Sequence, residues 1–178
     1  MGVVTRGFVA DSEELRRHFV GWKEPLPKPV RRQVPHPVTG EPIVIQTTAP
    51  DPNEPFPAEA NQPVNLRSLG AKELPGLLPA EMEDLMRLAL RADRLQANEV
   101  NTVALHGPSS ERLLLKVPAR LVTHLAGLSE QAVASLGDSW SSTVGAEFRR
   151  HLALLAELSR RAVAERKLVV LWITVRNA

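Results

Sequence analysis

The sequence predicts an α+β fold, a mixed α/β arrangement in which a central sheet contains the N- and C-terminal strands and helices pack on it. Three observations predict it. Residues 168–175, Leu-Val-Val-Leu-Trp-Ile-Thr-Val, are apolar on both faces, as a strand in the middle of a sheet must be. Residues 79–95 and 144–166 place apolar side chains at helical spacing. Eleven of the fifteen prolines fall within residues 22–63, where neither a helix interior nor a central strand can accommodate them. No internal repeat of about 20–50 residues is visible. Residues 1–178 therefore read as a single domain with a Pro-rich hairpin and loop at 22–63.

Residues 3–9 read as the first strand, expected to pair with 168–175, with Val4 and Phe8 among β-branched neighbours. Asp11 stands at an N-cap and Glu14 three residues on completes a capping-box pattern. The helix that follows, 12–20, carries Leu15 and Phe19, and Gly21 ends it in a left-handed conformation. Trp22 reads as a core anchor. Residues 30–34 and 43–48 form an edge hairpin around a Thr39-Gly40 turn. Residues 49–63 are an exposed loop, and 64–78 a turn and a short helix.

Pro79 opens an amphipathic helix, with Glu81, Glu83 and Asp84 at its positive end and Met82, Leu85, Met86 and Ala89 on its apolar stripe. Residues 98–106 and 112–117 read as two strands around Gly107-Pro108. Pro118 starts a helix that Gly127 stops, and Ser129 caps a short helix to Leu136. Gly137 to Ser142 read as a loop that displays Trp140 as a surface hot spot. The long helix 144–166 buries Phe148, Leu152, Leu155, Ser159 and Ala162 and turns Arg149, Arg150, Arg160, Arg161 and Arg166 to water. Trp172 in the last strand is structural.

Composition excludes several chemistries. The 178 residues contain no Cys, so disulfide scaffolds, thiolate metal sites and thiol nucleophiles are out. The net charge is +2 although the pI is about 9.4. With no Tyr or Cys, little titrates just above neutrality, and the pI is a weak argument for nucleic acid. Residues 51–99 carry five basic and nine acidic side chains, and residues 100–178 carry ten and six, so the chain has an acidic middle and a basic end. The N-terminus lacks a signal-peptide pattern, and no apolar run approaches a membrane span. The expectation is a cytoplasmic chain with no membrane association.

No catalytic motif is present. There is no nucleophile elbow, P-loop or dinucleotide fingerprint, and no cofactor is expected. His18, His36, His106, His124 and His151 show no paired metal-ligand spacing, so no metal is expected either. His36, between two prolines in a turn, is displayed for recognition. Glu147, Glu157 and Glu165 interleave the long-helix arginines and make a salt-bridged face a better reading than a phosphate stripe.

Two segments carry a resemblance. Arg120-Leu-Val-Thr-His-Leu-Ala-Gly-Leu-Ser-Glu130, with the long helix and the closing Leu-Trp-Ile-Thr-Val175, is one. Phe19-Val-Gly-Trp-Lys-Glu-Pro-Leu-Pro-Lys-Pro29 with Pro37-Val-Thr-Gly-Glu-Pro42 is the other. Together they span roughly half the chain, and they resemble small bacterial α/β proteins of the polymorphic-toxin immunity type. The resemblance implies a non-enzymatic inhibitor that neutralises a cognate toxin by stoichiometric binding. It carries no functional residue over. From the residues themselves, Asp51, Glu54, Glu59, Glu81, Glu83 and Asp84 form an acidic set suited to a basic partner, with Arg31, Arg32, His36 and Trp140 as further contacts. Two alternatives stand behind this expectation. One is a nucleic-acid-binding or regulatory module using Arg31, Arg32 and the long-helix arginines. The other is an enzyme with a dispersed, metal-assisted site at His36, His106 or His124.

Overall fold

The computed structural model describes residues 2–36, 39–51, 53–91, 103–109 and 112–176. The two chain ends meet in the centre of the main sheet. Strand β1 (Gly2–Ala10) and strand β7 (Leu168–Arg176) pair antiparallel over their whole length, from Gly2 opposite Arg176 to Ala10 opposite Leu168. On its other side β7 pairs with β6 (Arg112–Lys116), and β6 pairs with β5 (Val103–His106). A two-residue strand, β4 (Lys72–Glu73), closes the far edge against Arg6 and Gly7. The order is β4-β1-β7-β6-β5, so the strand that is apolar on both faces is the central one.

Strand alternation sends side chains to two separate cores. Val9, Leu115, Val169, Leu171 and Ile173 face one way and join the first cluster. Four helices cover that face: α2 (Pro79–Leu90), α3 (Ala119–Gly127), α4 (Glu130–Val144) and α5 (Phe148–Glu165). Phe8, Ala10, Leu114 and Val170 face the other way. There they meet α1 (Ser12–His18), Phe19, Trp22, Ala60 of the Pro-rich segment, and Leu66 and Leu69 of the turn that follows it. Phe19 packs edge-on to Trp22 at 5.0 Å and to Trp172 at 5.8 Å, so both tryptophans serve the core as expected.

Local chemistry accounts for the boundaries. Asp11 accepts from the Glu14 amide at 2.8 Å while Glu14 accepts from the Asp11 amide at 2.9 Å, and this reciprocal box starts α1. Gly21, at φ +77°, then turns the chain where a Cβ would strike Pro57 at 2.6 Å. Gly7 admits α5 onto the sheet, because a Cβ there would lie 2.9 Å from Leu158 and Leu74.

Three expectations change. The segment Gly137–Ser142 is not a loop: α4 runs unbroken from Glu130 to Val144. Its serines donate back into the helix, Ser139 to the Ser135 carbonyl at 3.1 Å and Ser142 to the Ser139 carbonyl at 2.7 Å. Helix α5 begins at Phe148, four residues later than expected, because Gly145 breaks the chain at φ +136°. The hairpin, β2 (Val30–Pro35) and β3 (Pro42–Thr47), pairs as expected, but as a two-stranded ribbon apart from the main sheet. Both of its strands are edges, which is the position that flanking prolines permit. Helix α2 ends at Leu90, where Arg91 turns left-handed at φ +47°, short of the expected 79–95; residues 92–95 of that expectation and 98–102 of the expected 98–106 strand lie outside the described residues.

Candidate functional site

The ribbon defines the most distinctive surface. Pairing of Arg32 with Ile45 and of Val34 with Ile43 sets its inner face. The outer face carries Arg31, Gln33, Val44 and Gln46, all exposed, with Val44 at 67%. Between the inner face and the β5–β6 turn lies a cleft of about 590 Å³. Val34, Ile45 and Phe56 supply its apolar wall. Arg32, Asp51, His106 and Arg112 supply its polar groups.

Each polar group is held by its backbone context. Arg32 donates to the Pro50 carbonyl, which ties the ribbon to the loop after it. Asp51 accepts from the Asn53 amide at 2.9 Å in a tight turn. His106 ends β5 and exchanges backbone hydrogen bonds with Lys23, at 2.6 and 2.9 Å, so the outer edge of β5 is partly covered. Its Nε2 is enclosed with no hydrogen-bond partner among the described residues. Burial, and secondarily the charge of Arg32, hold the imidazole below its ordinary pKa. Gly107 lies at the floor, where a Cβ would meet the Trp22 ring at 3.0 Å.

The residues singled out from sequence distribute as follows. Arg31 is exposed on the ribbon's outer face, and Arg32 lines the cleft. His36 sits at the ribbon end, where its Nδ1 accepts from the Thr39 amide at 3.2 Å. The acidic six do not form one surface. Asp51, Glu54 and Glu59 belong to the Pro-rich segment, which packs on one side of the sheet, whereas Glu81, Glu83 and Asp84 belong to α2 on the other. Several have local partners: Glu54 pairs with Lys23 at 2.7 Å, and Glu83 and Asp84 both pair with Arg87. Glu81 accepts from the Leu78 amide at 3.0 Å and serves the helix start.

Trp140 is a correction. It is 0% exposed and packs edge-on to Phe148 at 5.0 Å, so it is no surface hot spot. The physical reason is the continuity of α4, which points Trp140 inward two turns after Val133. The long-helix arginines fit the expected salt-bridged face only in part: Arg161 pairs with Glu165 at 3.4 Å but also donates to the Val9 and Leu69 carbonyls, Arg149 pairs with Asp138 of α4 at 2.6 Å, Arg160 donates to the Leu128 carbonyl at 3.0 Å, and Glu157 pairs with Lys72 at 3.7 Å. No group of three metal-ligating side chains occurs among the described residues, and His36, His106 and His124 sit on three separate elements.

Sequence reading missed Phe56, Arg112 and Leu113 as companions of Arg32. The alternation of Arg32 with Val34 and of Ile43 with Ile45 announced an inner ribbon face. Nothing local indicated that the β5–β6 turn would lie against it. Compared with known proteins, the chain matches no family model, no curated protein and no solved structure. No helix among the described residues is long and apolar enough to cross a membrane.

Proposed function

We propose that this chain is a stoichiometric protein-binding inhibitor of the immunity type, acting in the cytoplasm and seating a bacterial toxin on the outer face of the β2–β3 ribbon. The observation that supports it is the ribbon itself. It stands apart from the main sheet, exposes Val44 and Arg31 on one face with polar neighbours, and leaves one side of each strand without a ladder partner among the described residues. Such a ribbon offers both an apolar anchor and strand edges to a partner. Its exposed Arg31 favours an acidic rim on that partner. The acidic residues of α2 and of the Pro-rich loop, divided between two faces, act as separate small patches at most.

The test is functional rather than a capture alone. Tagged full-length chain is used to isolate a partner from its native host, and the partner is then expressed with and without this chain. The reading expects a one-to-one complex, growth arrest by the partner alone, and rescue by the wild-type chain. It also expects Val44→Asp to abolish rescue while leaving the thermal transition in place. A partner that is harmless alone, or rescue by V44D equal to wild type, overturns the reading.

A further inference from the structure

We propose that the cleft between the ribbon's inner face and the β5–β6 turn is a binding site for a small amphipathic carboxylate. This site is separate from the outer ribbon face and does not depend on the function proposed for it.

Size and lining both point to this class. About 590 Å³ lies within the range of small-molecule sites, which are mostly apolar with a few placed polar groups. Ile45 and Val34 descend from the ribbon, and Phe56 closes one end. That wall suits an aliphatic or aromatic body. Two arginines, Arg32 and Arg112, line the same space from different elements. The described residues place only one carboxylate, Asp51, against them, so the lining favours a single negative charge. Arg32 is anchored on the Pro50 carbonyl and is half-buried, which limits the rotamer freedom lost when an anion binds. Arginine also presents a planar fork that matches a carboxylate with two parallel bonds. His106 lines the same space, so its ring reports on occupancy of the cleft.

A bare inorganic anion does not use the apolar wall, and a neutral amphiphile leaves the cationic groups uncompensated. Both should therefore bind more weakly than a molecule that combines the two parts.

The experiment titrates full-length chain with octanoate, octanol and inorganic phosphate by calorimetry, and follows the His106 imidazole signals by NMR. The proposal expects one octanoate per chain and a shift of the His106 signals. It expects octanol to bind at least about tenfold more weakly, the loss that follows from removing a charge-assisted hydrogen bond, and phosphate likewise, because it buries no apolar surface. Arg112→Gln should weaken octanoate by about tenfold or more. Ile45→Glu, which sets a carboxylate in the apolar wall, should abolish octanoate binding. Thermal melting of both variants confirms that they fold. No octanoate binding, several octanoates per chain, octanol or phosphate binding as well as octanoate, or octanoate affinity unchanged in both variants would each overturn the proposal.

Discussion

Trp140 shows how one side chain organises the helical layer. It is fully enclosed and stacks edge-on to Phe148, whose ring in turn meets His151 at 5.0 Å. Trp140→Ala should therefore lower unfolding stability by about 3–5 kcal/mol, measured by denaturant titration. His151 is 2% exposed and its Nδ1 has no hydrogen-bond partner among the described residues. Burial, opposed by Glu147 and reinforced by Arg150, holds its pKa below the ordinary 6.5. The unfolded chain thus takes up the proton first as pH falls. Stability should be fully present above about pH 6.5 and should decline below it, down to the lowered folded pKa. His106 acts in the same direction, with its pKa lowered chiefly by burial. Unfolding at about pH 7.5 and about pH 5.5 checks this, and His151→Leu should flatten the dependence without removing the part due to His106.

At the scale of elements, caps and close approaches decide the boundaries. Helix α5 ends on Arg166, a non-glycine residue at φ +54°, whose amide reaches back to the Ala162 and Val163 carbonyls. A left-handed L-residue costs about 1–2 kcal/mol, partly offset by the greater unfolded-state freedom of glycine. Arg166→Gly should accordingly stabilise the protein by about 0.5–1 kcal/mol in thermal or denaturant unfolding. The opposite holds at Gly7, where β1 and α5 meet. Gly7→Val should destabilise by about 1–3 kcal/mol, because Leu158 and Leu74 must move from the positions they hold 2.9 Å from the added carbon. Helix α4 illustrates tertiary packing overriding propensity. Gly137 and a serine-rich stretch argue for a loop, yet burial of Val133 and Trp140 holds the helix together.

At the scale of the molecule, a central sheet separates two cores, and the ribbon belongs to neither ladder. Among the described residues, no strand hydrogen bond joins β2 or β3 to the five-stranded sheet. Replacing residues 30–47 by a short Gly/Ser link should leave a cooperative unfolding transition and the near-ultraviolet signal of the buried tryptophans, while octanoate binding disappears with the cleft wall. Loss of the cooperative transition would show instead that the ribbon is part of the folding unit.

The sequence by itself determined the elements whose signal is local. Short β-branched or alternating runs marked β1, the ribbon and the β5–β6 hairpin; a continuous apolar run marked β7; the Asp11–Glu14 box marked α1; and helical periodicity marked α2, α3 and the buried stripe of α5. Such signals record which side of a segment avoids water, and that is a property of neighbouring residues. Even the pairing of the two chain ends was legible, because a strand apolar on both faces needs a covered, central place. Tertiary structure alone decided the rest. Strand β4 has two residues, too few for any period, and exists because Arg6 and Gly7 offer it a free edge. Trp140 is buried because packing carries α4 through Gly137. The cleft joins Arg32 of the ribbon to His106 and Arg112 some seventy to eighty positions away. Proximity across that separation depends on how whole elements pack, and no spacing within a segment encodes it.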